Sequence, residues 1–375
     1  MKIEQATWSP ADGWVLRRGA LNGVAPHFVL AFGGRRLLED PARYVDIRAR
    51  YPGARVLISS TAGEITDVSI TEEELSLVAV FMEKTEIDAS AVTITHPEES
   101  YELGGELARR LTRPGLAHIF VLSEGSLANG NELVRGLNRY LPAGVTVTGG
   151  LAGDGARFER TLVGLDEPPR PGRIAALAFY GEHFRSSFGS AGGWSPFGPE
   201  RIITCSMGNR LCELDDRSAL DLYRQYLGDQ AAGLPGSALR FPLSLSLDDG
   251  SPTVVRTILS VDEANRCLVF AGDMPVGGRV RFMHASYEDI IDGAAAAADL
   301  LQIRDHELVI CISCVGRLIV LGQRIEEEMD LVRDCVGPRS TITGFYSYGE
   351  LAPAMAGSSC QLHNQTMTIT GFSEA

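Results

Sequence analysis

The chain has 375 residues, is 45% hydrophobic, and carries 48 acidic against 34 basic side chains, for a formal charge of -14. One core rarely fills that length, so two domains are expected. The charge argues against a nucleic-acid backbone or an anionic membrane surface as partner, since both need clustered Lys and Arg.

Met1 to Arg18 mixes polar and apolar residues with no signal-type apolar region, so no targeting segment is expected. The longest apolar runs, Phe28–Phe32 and Ile174–Tyr180, suit buried strands and fall short of the roughly 18–20 residues of a membrane span. Seven cysteines, an odd number spread thinly beyond position 200, fit a reduced cytosolic setting.

In chain order, about 25 residues of lead-in precede the apolar run Phe28–Phe32. A helical spacing follows through Tyr44, Ile47 and Tyr51, then a second strand, Arg55–Ser59, which opens into Ser60-Thr61-Ala62-Gly63-Glu64. The unit recurs as strand His118–Ser123, helix Leu127–Tyr140, and Thr146–Thr148 opening into Gly149 to Asp154. It recurs again as strand Leu308–Ile312, helix Leu318–Val336, and Thr341–Thr343 opening into Gly344 to Glu350. Returning strands are expected at Leu75–Phe81, Ile174–Phe179 and Met367–Phe372. Similar units in one order suggest duplication, and a helical crossover favours parallel pairing within each unit. Between the second and third copies, Thr204–Leu214 and Thr253–Met283 predict short antiparallel strands, with helices at Ser218–Leu227 and Ile290–Leu301. The fold class is therefore α/β, in two domains with mixed, largely parallel sheets of repeated strand-helix-strand units plus antiparallel strands.

Several ordered motifs resemble the FIST family of sensory proteins. They are Ser60 to Ile65, Gly149 to Gly155, Trp194 to Pro199, Cys314-Val315-Gly316-Arg317, Leu321-Gly322-Gln323-Arg324, Gly344 to Pro353, and Leu362 to Thr370. The resemblance implies an N-terminal domain over 1–218, lead-in included, and a C-terminal domain over 219–375. It implies a prokaryotic, cytoplasmic signal-input module that binds a small molecule. Its state would pass to a separate signalling protein such as a histidine kinase or a cyclic-dinucleotide enzyme. One branch of the family binds haem and senses nitric oxide. Ser59 and Ser60 stand where Gly-Cys is more usual, so no role for that Cys carries over.

The candidate ligand-binding residues are Glu350, His363, Tyr346, Tyr348, Asn364, Glu64, Asp154 and Arg317. Glycines beside acids at strand exits serve either a pocket or a capped turn. The aromatics, imidazole and amide near Glu350 favour a pocket there. Arg317 and Arg324, one heptad apart, would share a helix face, while Glu326 to Glu328 would face solvent or a partner. A carboxylate beside His363 would raise the imidazole pKa. An enzyme acting on a small polar metabolite is the alternative class, with His363 as acid or base and Glu350 orienting it. For haem, the ligand candidates are His183, His284 and His363. Cys311 and Cys314 read as structural, without a second metal-ligand pair.

Overall fold

The computed structural model describes residues 1–247, 253–301 and 306–375. Three copies of one topology form its body. In the first, Phe28–Gly34 and Arg55–Thr61 run parallel through the helix Pro41–Arg50, and Leu75–Phe81 returns antiparallel beside Phe28–Gly34. In the second, the parallel strands are Leu116–Ser123 and Thr146–Leu151, the helix is Gly130–Tyr140, and Arg173–Tyr180 returns. In the third they are Leu308–Cys314 and Thr341–Ser347, linked through Val315–Leu321 and Ile325–Val336, with Met367–Glu374 returning. Beyond each returning strand lies one more, at Lys2–Ser9, Glu86–Thr93 and Phe184–Ala191.

The sheets are mixed, as expected, but less parallel than expected. Only the two strands joined by a helical crossover run the same way in each; every other pairing is antiparallel. The lead-in is a second departure. Lys2–Ser9 and Gly13–Gly19 form a hairpin on the first sheet. Its half-exposed edge residues hide the strand signal in a polar-looking sequence.

After its second parallel strand, each copy sends the chain to a neighbouring sheet. Gly63–Thr66 pairs with Thr341–Ser347 of the third copy, and Gly349–Pro353 pairs with Thr146–Leu151 of the second. Val163–Leu165 pairs with Arg55–Thr61 of the first. Each sheet thus borrows a strand from one copy and lends one to another, and the exchange closes into a ring.

The strand patterns explain why the sheets stand around one core. Phe28, Leu30 and Phe32 point inward and meet Phe120 and Leu122 of the second copy and Leu308, Ile310 and Ile312 of the third. The alternate residues point outward under helices: Val29 and Ala31 in the first copy, Ile119 and Val121 in the second, Val309 and Cys311 in the third. Strands buried on both faces read as continuous apolar runs rather than alternating ones.

Between Phe184–Ala191 and the helix Tyr287–Asp299, the described residues of 195–284 form a further antiparallel sheet with its own core. The sheet's entry strand Ser195–Met207 pairs with its exit strand Arg279–His284, so Ser195 lies opposite His284. The helix Ala219–Leu227 packs on it through Leu220, Leu222 and Tyr223. Residue 218 lies within this inserted sheet, at the end of the strand Arg217–Ser218. Cys212 and Cys267 occupy facing positions on neighbouring strands and are joined by a disulfide, a pairing that thinly spread cysteines do not announce.

Candidate functional site

The Gly-acid exits are built alike in the first and third copies. Glu64 accepts from Thr61 Oγ1, three residues earlier, and Glu350 accepts from Ser347 Oγ at the same spacing, 2.8 Å away. Glu350 also accepts from Thr366 Oγ1 at 2.8 Å and from the Thr366 amide at 3.3 Å. Both carboxyls are fully buried, and burial pushes each pKa up to about 8. In the second copy, Asp154 instead ties down its own loop. It accepts from the amides of Phe158, Glu159 and Arg160 at 2.9–3.2 Å and from Arg35 Nη1 at 2.9 Å. The Tyr348 hydroxyl donates to the same carboxylate, and its ring stacks on Phe158 with centroids 4.5 Å apart.

Glu350 and His363 stand directly opposite on adjacent strands. They are not hydrogen-bonded: His363 Nε2 lies 2.9 Å from the Ala352 carbonyl oxygen. Burial, with the Arg256 charge adding to it, pulls the His363 pKa down to about 4. The expected raised imidazole pKa is therefore wrong, because desolvation outweighs any help from a carboxyl that is itself protonated. The orienting hydrogen bond expected from Glu350 to His363 is therefore not made. Asn364, in the next turn, is 1% exposed, and both its amide atoms lack a partner.

Tyr346 and Arg317 belong elsewhere. Tyr346 donates its hydroxyl to Glu328, and Arg317 pairs with Glu328 at 2.7 Å and donates to the carbonyls of Ile290 and Gly192 at 2.6 and 2.8 Å. All three side chains are fully buried. The expectation that Glu328 faces outward fails, and so does the shared face of Arg317 and Arg324. The helix breaks at Gly322, whose φ of +53° turns the chain, and Arg324 lies outside on Glu327 and Glu288.

A cleft of about 700 Å³ opens between the second copy and the inserted sheet. The loop Gly125 to Gly130 forms one wall, the Phe158–Tyr348 stack another, and Asn209, Leu259 and Gly272 close it from the insert. Glu124 shapes that loop by accepting from the amides of Ser126, Leu127 and Ala128 and from Thr161 Oγ1. Asn129 caps the helix that begins there, accepting from the Glu132 amide at 3.2 Å. Of the sequence candidates, only Tyr348 lines this cleft. Glu124, Phe158 and the insert residues carry no local sequence signal, since their roles arise only when distant segments meet.

The residues do not fit haem. His183 and His284 are exposed, His183 Nδ1 lying 2.8 Å from the Ala375 carbonyl oxygen and His284 beside Phe197. His363 Nε2 is spent inside the sheet. The cleft holds no His, Cys or Met, and its Tyr348 hydroxyl is engaged by Asp154. No cluster of metal-ligating side chains occurs among the described residues.

Fold and cleft together define an α/β protein of three interlocked repeats with a small-molecule-sized cavity against an inserted sheet. The FIST N domain model matches residues 27–217 and the FIST C domain model matches 219–353, so the chain belongs to the FIST family. FIST domains are associated with sensory, signal-transduction function. No curated protein matches the chain at a significant level. No helix among the described residues is long and apolar enough to cross a membrane.

Proposed function

We propose that this protein is a cytoplasmic small-ligand sensor whose ligand enters the cleft between the repeat body and the inserted sheet. The observation that carries this reading is the cleft's construction. Its walls come from two units with separate cores, so a molecule bound there contacts both and biases how they sit together. A cavity of this size, whose walls mix apolar residues with Asn129, Asn209 and the carboxylates of Glu98, Glu132 and Asp273, suits a small organic molecule. The changed relation of insert to body is the signal that a histidine kinase or a cyclic-dinucleotide enzyme would read.

A thermal-shift screen of the purified chain against a metabolite panel tests this. The expected outcome is a saturable stabilisation by one chemical class. It should disappear in Ser126→Trp and Leu259→Trp, which fill the cleft from exposed wall positions. Hydrogen exchange within 195–284 should slow when the ligand is present. Stabilisation that persists in both tryptophan variants would place the ligand elsewhere.

A further inference from the structure

The strand Val254–Arg256 ends on an arginine that reaches from the insert to the body. Arg256 Nη1 donates to the carbonyls of Val255 and Leu362 at 3.3 and 3.1 Å, and Nη2 donates to Asn131 Oδ1 at 3.2 Å. Nε has no partner. A guanidinium has five N–H donors, so three acceptors leave two donors unspent. The residue is 6% exposed, and no carboxylate of the described residues forms an ion pair with it. Burial pulls its pKa down to about 10, opposed by the charge of Asp273. Buried charges are ordinarily paired, and a guanidinium short of acceptors suits a planar two-oxygen group.

Room for such a group exists beside it. A cavity of about 410 Å³ is lined by apolar residues, Leu245, Val254 and Leu362 among them, and by polar ones that include Arg256, Arg135, Gln361 and the carboxylates of Glu132 and Asp273. Gln361 Oε1 there lacks a partner. Gly272 keeps the guanidinium in place, since a Cβ on it would stand 2.8 Å from Arg256 Nε and 3.1 Å from Asn131 Nδ2. Asp273 and Glu132 line both this cavity and the larger cleft, so the two spaces adjoin. The same two acids repel any anion, a doubly charged phosphate more than a monocarboxylate.

We infer that the sensed molecule is a small carboxylic acid, whose carboxylate pairs with Arg256 beside Leu245, Val254 and Leu362 while the rest of the molecule extends into the adjoining cleft. This rests on the ligand-sensor reading above and names the chemistry of its ligand. It also supplies a route to the signal. Arg256 joins the insert to Leu362 and Asn131 of the body, so a carboxylate that engages it alters the link between them.

Calorimetric titration of the full chain with a matched set tests the inference. The set is 4-methylpentanoate, its primary amide, 3-methylbutylamine and inorganic phosphate, followed by a series of aliphatic and aromatic monocarboxylates. The expected result is saturable binding of at least one acid, with its amide weaker by about tenfold or more and phosphate silent. Arg256→Gln should lose that preference and Arg256→Lys should keep part of it. The acid-amide comparison uses the parent chain, so it decides the matter even where Arg256→Gln fails to fold. Equal binding of acid and amide, or no binding by any carboxylate, overturns the inference. A carboxylate-free ligand that Ser126→Trp blocks would leave the sensor reading standing while removing this one.

Discussion

Glu64 and Glu350 hold their protons up to about pH 8 in the fold, against an ordinary carboxyl value of 4.5. Between those values the native state binds more protons than the unfolded chain, so stability falls as pH rises from about 4.5 to 8 and then levels off. His118, His306 and His363 act in the opposite sense. Burial pulls them to about 3, 4 and 4 from an ordinary 6.5, so stability is lost as pH falls below about 6.5. Gln mimics the protonated carboxyl without its titration. Glu64→Gln/Glu350→Gln should therefore flatten the alkaline limb, gaining on the order of 1–3 kcal/mol over the parent at pH 8. Urea unfolding at several pH values reads this directly, and parallel limbs for parent and variant would contradict it. Tyr346→Phe makes a second test. It strips Glu328 of one buried donor and should cost about 1–3 kcal/mol, with the ligand response intact because this cluster lies outside the cleft. Glu350, His363 and Asn364 were legible as an unusual concentration of polar residues. That Tyr346 serves a different cluster was not, because strand alternation and the Gly322 break decide which side chains meet. Arg256 was silent for the same reason: an arginine within Val254-Val255-Arg256-Thr257-Ile258 looks like the solvated face of an edge strand until the fold buries it.

Among the elements, the three strand-helix-strand units were readable because strands buried on both faces leave unbroken apolar runs between helical spacings. The ring of lent strands was not readable. Gly63–Thr66, Val163–Leu165 and Gly349–Pro353 are three to five residues long and carry no sign of which sheet they join. The glycines at these crossings do carry a requirement. Gly149 and Gly344 occupy matching places, with φ of +150° and +154°, and a Cβ would strike the carbonyl oxygens of Val121 and Cys311 on the parallel partner strand. Backbone atoms in a sheet cannot step aside, so Gly149→Ala and Gly344→Ala should each destabilise by about 4 kcal/mol or more. Gly13→Ala, also at positive φ but with open space around it, should cost only about 1–2 kcal/mol. Chemical denaturation of the three variants gives the ranking, and near-equal losses would show that the contact on the partner strand is not what matters.

For the whole molecule, the paired ends of the insert and its separate core suggest that the body does not need it to fold. Replacing 196–283 by a short turn between Ser195 and His284 should leave a folded body with native-like β-sheet circular dichroism and one cooperative melt. It should also abolish the ligand response, since one wall of the cleft leaves with the insert. The stability cost should be modest, because the insert meets the body through few direct bonds, among them Gln365 Nε2 to the Leu239 carbonyl and Arg256 to the Leu362 carbonyl. A molten or aggregated product would mean that the insert is part of the body's fold.

The ring of lent strands has a consequence for synthesis. Phe28–Gly34 through Arg173–Tyr180 leave the ribosome long before Met367–Glu374, yet Thr146–Leu151 waits for Gly349–Pro353 to cover its edge, and Gly63–Thr66 waits for Thr341–Ser347. A nascent chain stopped anywhere before the third copy therefore carries an uncovered sheet edge and a half-exposed apolar core. The first sheet is whole once Val163–Leu165 has emerged, but the second waits for Gly349–Pro353 and Cys360–His363, and the third for Met367–Glu374. Premature termination late in the message should thus yield sticky fragments rather than a smaller working protein.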